Sequence, residues 1–180
     1  MKTNYLAIAA VLAMASTLSL ASGNHAGGHG DAGGHGHGGS GESAIGAPGV
    51  AGKVTRTVKV DMTDAMRFIP ASIDVKQGET IRFQVKNSGK AKHEFVLGTE
   101  AELREHYQVM LKNPEMEHEE PNMITLAGGK SGEVVWQFTK AGKVHFGCLQ
   151  PGHYDAGMKG AVTVAGAQGN AKSDGHGHKH

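Results

Sequence analysis

Residues 148–158 read Cys148-Leu149-Gln150-Pro151-Gly152-His153-Tyr154-Asp155-Ala156-Gly157-Met158. This stretch holds the only cysteine of the 180-residue chain, a histidine after four intervening residues and a methionine after four more. A thiolate, an imidazole and a thioether on one short loop are three of the four groups of a blue-copper-type site. Cu(I) favours soft sulfur ligands, and Cu(II) is well served by imidazole nitrogen. A site that holds both states therefore mixes them: two His and one Cys near a plane, with a weak axial Met.

The flanks of the loop set the expected fold. Lys143 to Cys148 reads as a strand, so sheet hydrogen bonds fix the cysteine. The turn Gln150-Pro151-Gly152 brings His153 back beside it, and Gly157 lets the chain bend so that Met158 can approach. Gly160 to Val164 then leaves as the last strand. Further out, Thr80 to Lys86 alternates, with Ile81, Phe83 and Val85 facing in and Arg82, Gln84 and Lys86 facing out. Val54 to Val60, Ser72 to Val75, His93 to Leu97 and Glu133 to Phe138 are further strand candidates. Thr99 with Glu102 is a capping-box signature, followed by Leu103, Tyr107, Met110 and Leu111 on one helical face; Asn113-Pro114 ends that helix. The expected fold is all-β: an antiparallel sandwich of about seven or eight strands with one helix-bearing insertion.

The fourth ligand must come from an earlier strand, and the domain offers His93, His106, His118 and His145. His106 lies mid-helix in a charged context and reads as solvent-facing. His118 sits in the acidic loop Glu117-His118-Glu119-Glu120. His145, three residues before Cys148 on a strand, points to the opposite face from the thiol. His93 follows a break and begins an apolar strand, and is the choice. Glu94 beside it reads as an exposed strand residue.

The pattern Asn87…His93-Glu94-Phe95, then Cys148-x4-His153-x4-Met158, resembles a cupredoxin. The loop spacing is similar to that of rusticyanin and auracyanin. Met62-Thr63-Asp64-Ala65-Met66-Arg67-Phe68 and Glu119-Glu120-Pro121-Asn122-Met123 resemble the periplasmic copper-resistance branch, the CopI-like cupredoxins. The resemblance covers about Lys53 to Val164. It implies a cupredoxin-like Greek-key β-sandwich with one type 1 copper on His93, Cys148, His153 and Met158.

The rest of the chain fits export. Lys2, the apolar run Leu6 to Leu20 and the small residues of Ser19-Leu20-Ala21 make residues 1–21 a signal peptide. No later apolar segment is long enough to span a bilayer. Residues 22–52 are rich in Gly, Ala, Ser and His, with His25, His29, His35 and His37 among glycines, and are expected to be disordered. The cupredoxin domain is expected over 53–165 and a second disordered, His-rich tail over 166–180. The formal charge is +1, and no basic run points to a nucleic-acid partner. An odd cysteine in an exported chain is a liability unless functional, and metal ligation resolves this.

Three copper-enzyme classes lack their signatures. Gly147 and Leu149 flank Cys148, so the adjacent histidine that wires multicopper oxidases and copper nitrite reductases is missing. One cysteine cannot make a binuclear electron-transfer site. The domain also lacks the histidine cluster of a Cu,Zn-type dismutase. Four protein ligands leave no open coordination position, so no enzyme activity is expected. Two functions remain. One is periplasmic copper handling that contributes to copper tolerance, favoured by the His-rich tails and by Met62, Met66, Met110, Met116 and Met123. The other is a dedicated electron shuttle with a periplasmic redox partner protein. Further copper is expected on the tails or on the Met116/His118/Met123 loop.

Overall fold

In a computed structural model, residues 43–166 are described; residues 1–42, with the expected signal peptide and most of the His/Gly-rich segment, and residues 167–180 lie outside them. The described residues form strands β1 (Ala47–Pro48), β2 (Arg56–Thr63), β3 (Arg67–Ile69), β4 (Ser72–Lys76), β5 (Thr80–Asn87) and β6 (His93–Gly98). Helix α1 (Glu100–Lys112) follows, then β7 (Met123–Leu126), β8 (Ser131–Gln137), β9 (Gly142–Gly147) and β10 (Lys159–Ala165). Two five-stranded sheets result, in the orders β1-β8-β5-β2-β3 and β4-β10-β9-β6-β7.

Alternating residues bring the two inner faces together. Ile81, Phe83 and Val85 of β5 are at most 1% exposed, and Phe95, Leu97 and Phe146 of the opposite sheet are fully buried. Phe68, Phe83, Phe95, Phe138 and Phe146 meet at ring centroid distances of 5.1–6.2 Å, several of them edge-on. Each such burial contributes roughly 1.5–3 kcal/mol. Cys148 and Met158 belong to this same core cluster.

Two pairings differ from a purely antiparallel sandwich. β2 runs parallel to β5, and β4 runs parallel to β10. The chain leaves β2 through the β3 hairpin, crosses to the other sheet as β4 and returns as β5 in the direction of β2.

The fold also begins earlier than residue 53: residues 43–52, expected to be disordered, are described and include β1. Ile45, the first large apolar residue after the leader's run, is 7% exposed, and its carbonyl accepts a 2.6 Å hydrogen bond from Trp136 Nε1. Ala47 and Pro48 pair with Gln137 and Trp136. Gly46 makes the approach possible: its φ is +100°, and a Cβ there would lie 2.0 Å from the Gln137 carbonyl oxygen.

The capping box forms as expected. Thr99 Oγ1 accepts from Glu102 N–H at 3.2 Å, and Glu102 accepts from Thr99 N–H at 2.7 Å. Leu103, Tyr107 and Met110 are buried, but Leu111 is 43% exposed. It sits about 100° round the helix from Met110, beyond the edge of the buried stripe. With Val96, Met123, Leu149 and Tyr154 these helix residues make a second apolar cluster on the outside of β6. Covered on both faces, every residue of β6 is buried. Glu94, expected to be exposed, is therefore only 3% exposed.

Candidate metal centre

Three of the expected ligands converge. His93 opens β6, Cys148 follows β9 by one residue, and His153 lies in the turn between β9 and β10. His93 Nδ1 and His153 Nδ1 are 3.1 Å apart. Cys148 Sγ is 3.3 Å from His153 Nδ1 and 3.9 Å from His93 Nδ1. A point about 2.0 Å from all three atoms exists in their plane, the length of a metal–imidazole bond and slightly under that of a metal–thiolate bond. The donor set and its spacing thus fit a copper ion. Cys148 and His93 are fully buried, while His153 is partly exposed.

Met158 immediately precedes β10 and is fully buried in the same core cluster as Cys148. Its carbonyl accepts from Cys148 N–H and its own N–H donates to the His153 carbonyl, both at 3.0 Å. His153 N–H donates to the Gln150 carbonyl at 3.0 Å, which forms the expected turn. The backbone of the loop therefore holds all three of its donor-bearing residues.

The surroundings fix the loop from outside. The Tyr107 hydroxyl of α1 accepts from Gly152 N–H and donates to Asp155 Oδ2, both at 3.0 Å. Arg67 Nη1 donates to the Ala156 carbonyl at 2.9 Å. On the other side, buried Asn87 spans the break before β6. Its Nδ2 donates to the Ala91 and Leu126 carbonyls, and its Oδ1 accepts from Gly89 N–H.

Asp64 stands behind His93. Its carboxylate accepts from Lys90 and Ala91 N–H and lies 3.2 Å from His93 Nε2. The hydrogen bonds from Lys90 and Ala91 hold the Asp64 carboxyl below its usual range. An ionised Asp64 favours the tautomer with the proton on Nε2, which leaves the Nδ1 lone pair free toward Cys148 and His153.

Burial pushes the Cys148 thiol up to about 12, although the backbone N–H groups of Glu94 and Gln150 oppose it; Glu94 N–H donates to Sγ at 3.3 Å. Without metal the thiol is neutral. A bound cation supplies the charge that deprotonates it. Burial, then the neighbouring His93, lowers the His153 imidazole, which keeps it neutral and able to donate a lone pair.

The other histidines divide differently from the expectation. His145 is separate from the cluster, as anticipated. His106, expected to face solvent, is half-buried, and its ring meets that of His118 at a centroid distance of 4.6 Å. Burial lowers the His106 pKa first and His118 second, with Glu94 and Glu120 opposing. Asp64, Asn87 and Tyr107 entered the sequence analysis only as parts of the family pattern and of the helix's apolar face, not as residues that position the site. Asn87 carried the one available signal: its side chain sits in the Asn-Ser-Gly break that delivers His93. Glu94 Oε1 accepts from Gln150 Nε2 at 2.5 Å, tying β6 to the ligand loop.

A β-sandwich with a His-Cys-His donor cluster at one end is the arrangement of a copper-binding cupredoxin. Residues 54–165 match the family of copper binding proteins described as plastocyanin/azurin, and the chain belongs to that family. Among curated relatives it is similar to the copper-resistant cuproprotein CopI of Rubrivivax gelatinosus, 54% identical over 123 residues, covering 68% of this chain and 74% of that one. It is also similar to the copper-resistant cuproprotein CopI of Pseudomonas aeruginosa, 38% identical over 150 residues, covering 67% of this chain and 82% of that one. Of solved structures, reduced auracyanin from Roseiflexus castenholzii superposes with a TM-score of 0.52 at 25% identity, covering 62% of this chain and 98% of that one. Auracyanin B gives a TM-score of 0.54 at 22% identity, over 69% of this chain and 96% of that one, a likeness of fold.

Proposed function

We propose that this protein is an exported, mononuclear type 1 copper protein that contributes to copper tolerance, with His93, Cys148, His153 and Met158 as ligands. The observation that carries the reading is the triangle of Nδ1, Nδ1 and Sγ atoms with sides of 3.1, 3.3 and 3.9 Å. Copper bound there supplies a one-electron couple. The chain's residues hold soft and borderline donors in one fixed set that serves both oxidation states, which limits rearrangement between them. Buried Met158 would supply the thioether. With four protein ligands and no open position, the centre binds and cycles copper without acting as an enzyme. A signal peptide over residues 1–21 would direct it to the periplasm, and no helix of the described residues is long and apolar enough to cross a membrane. The relatives named as copper-resistant cuproproteins support tolerance as the purpose.

One observation favours a second reading, a dedicated electron shuttle to a periplasmic redox partner protein. His153 alone of the four ligands reaches the surface, beside the exposed Pro151, Gly152 and Ala156. Growth separates the two. A deletion strain should be copper-sensitive, and the wild-type chain, but not Cys148→Ser, should restore tolerance. A respiratory defect at low copper with unchanged tolerance would overturn the proposal in favour of the shuttle.

A further inference from the structure

We propose a second copper site outside the Cys148 centre, selective for Cu(I), in which His106 of α1 and His118 of the following loop supply two imidazoles and Met116 a thioether. The inference stands independently of the Cys148 ligand set. Its first support is geometric: the two rings meet at 4.6 Å with an interplanar angle of 40°. The second is an unmet demand. Both ring nitrogens of His118 are buried without a hydrogen-bond partner. A neutral imidazole carries one donor and one acceptor, and leaving both unpaired away from water is unfavourable. A metal ion satisfies the acceptor nitrogen directly.

The third support is what surrounds the pair. Met116, Glu117, His118, Glu119, Glu120 and Met123 line a cleft on this side of the molecule, with Glu94 at its wall. Met116 is 42% exposed. A thioether in that position does little for packing and is accessible as a ligand. The carboxylates raise the local concentration of cations.

The donor count selects the ion. Among the described residues, the only group of three or more His, Cys and carboxylate donors within 4.8 Å of one another is His93, Cys148 and His153. The His106–His118 pair thus lacks a third imidazole, thiolate or carboxylate donor within that distance. Ions that require four such ligands are poorly served. Cu(I) accepts imidazole and soft thioether ligands and suits the set.

The test uses the full-length protein, so that the His-rich tails contribute equally to every variant. Cu(I) is titrated against a chromophoric Cu(I) chelator with wild type, His118→Ala and Met116→Leu. Ag(I), a diamagnetic substitute, is followed by the methionine methyl resonances. The expected result is one Cu(I) fewer per chain in His118→Ala, at least tenfold weaker binding of that ion in Met116→Leu, and a Met116 methyl shift with Ag(I) in the wild type. Equal Cu(I) binding in all three proteins, or a Met116 resonance unmoved by Ag(I), would overturn the site. The Cu(II) colour of each variant is read in parallel. Its loss in all proteins would count against the Cys148 centre alone, and its retention in His118→Ala shows that this variant folds.

Discussion

Among the described residues, two pairs of adjacent imidazoles stand out, and they differ in everything except the pairing. His93 and His153 have ring centroids 4.9 Å apart, and His106 and His118 have theirs 4.6 Å apart. The first pair shares the Cys148 sulfur, has Asp64 behind one ring and sits where paired strands of one sheet fix the backbone around His93 and Cys148. The second has a helix under one ring, a loop under the other and no carboxylate hydrogen-bonded to either. Proximity of histidines therefore does not define a redox site. The third donor sets which ion is preferred, and the outer hydrogen bonds set how rigidly it is held.

Several changes break or sharpen that contrast. The largest effect is expected from Cys148→Ser, which removes the thiolate. The intense charge-transfer colour of the Cu(II) form should disappear entirely, as absorption spectroscopy will show.

The next largest effect is a pH dependence at Cys148. In the metal-free protein, burial raises the Cys148 thiol from 9.0 to about 12. A raised value stabilises the fold below the unfolded-state pKa, and that contribution is lost as pH rises through the folded-state value. Between these two values Cys148 should cost the metal-free fold about 4 kcal/mol. Urea unfolding of wild type and Cys148→Ala across that range should show their stability difference shifting by this amount in favour of Cys148→Ala.

Asn87→Ala comes third. It strips the partners from the Ala91 and Leu126 carbonyls and from Gly89 N–H in the loop that delivers His93. A loss of about 3 kcal/mol in urea unfolding is expected. Tyr107→Phe is the mildest. It removes the hydroxyl that links α1 to Gly152 and Asp155, and should cost about 1 kcal/mol while the copper colour persists with a shifted band.

Much of this was legible in the sequence where local pattern and final environment agree. β5 alternates because one face meets the core and the other meets water, and its three inward residues are buried as read. Thr99 and Glu102 announce their helix because a capping box is a local device. β1, β3 and β7 span only two to four residues, too few for a periodicity to appear. β6 misled for the opposite reason: α1 covers its outer face, so Glu94 is buried despite its charge. The parallel neighbours β2 and β5 depend on a crossover through the other sheet, which no local pattern encodes. His93 and the loop donors announced themselves by residue type. Asp64 did not, because it meets His93 only through a turn 29 residues earlier in the chain.

The central claim is that one copper sits among His93, Cys148, His153 and Met158. Its most direct test is a crystal of the Cu(II)-loaded protein measured at the copper absorption edge. The account predicts an anomalous peak about 2.0 Å from His93 Nδ1, His153 Nδ1 and Cys148 Sγ. Copper density found only elsewhere in the chain, with the three donors still at their mutual distances and no peak between them, would contradict it.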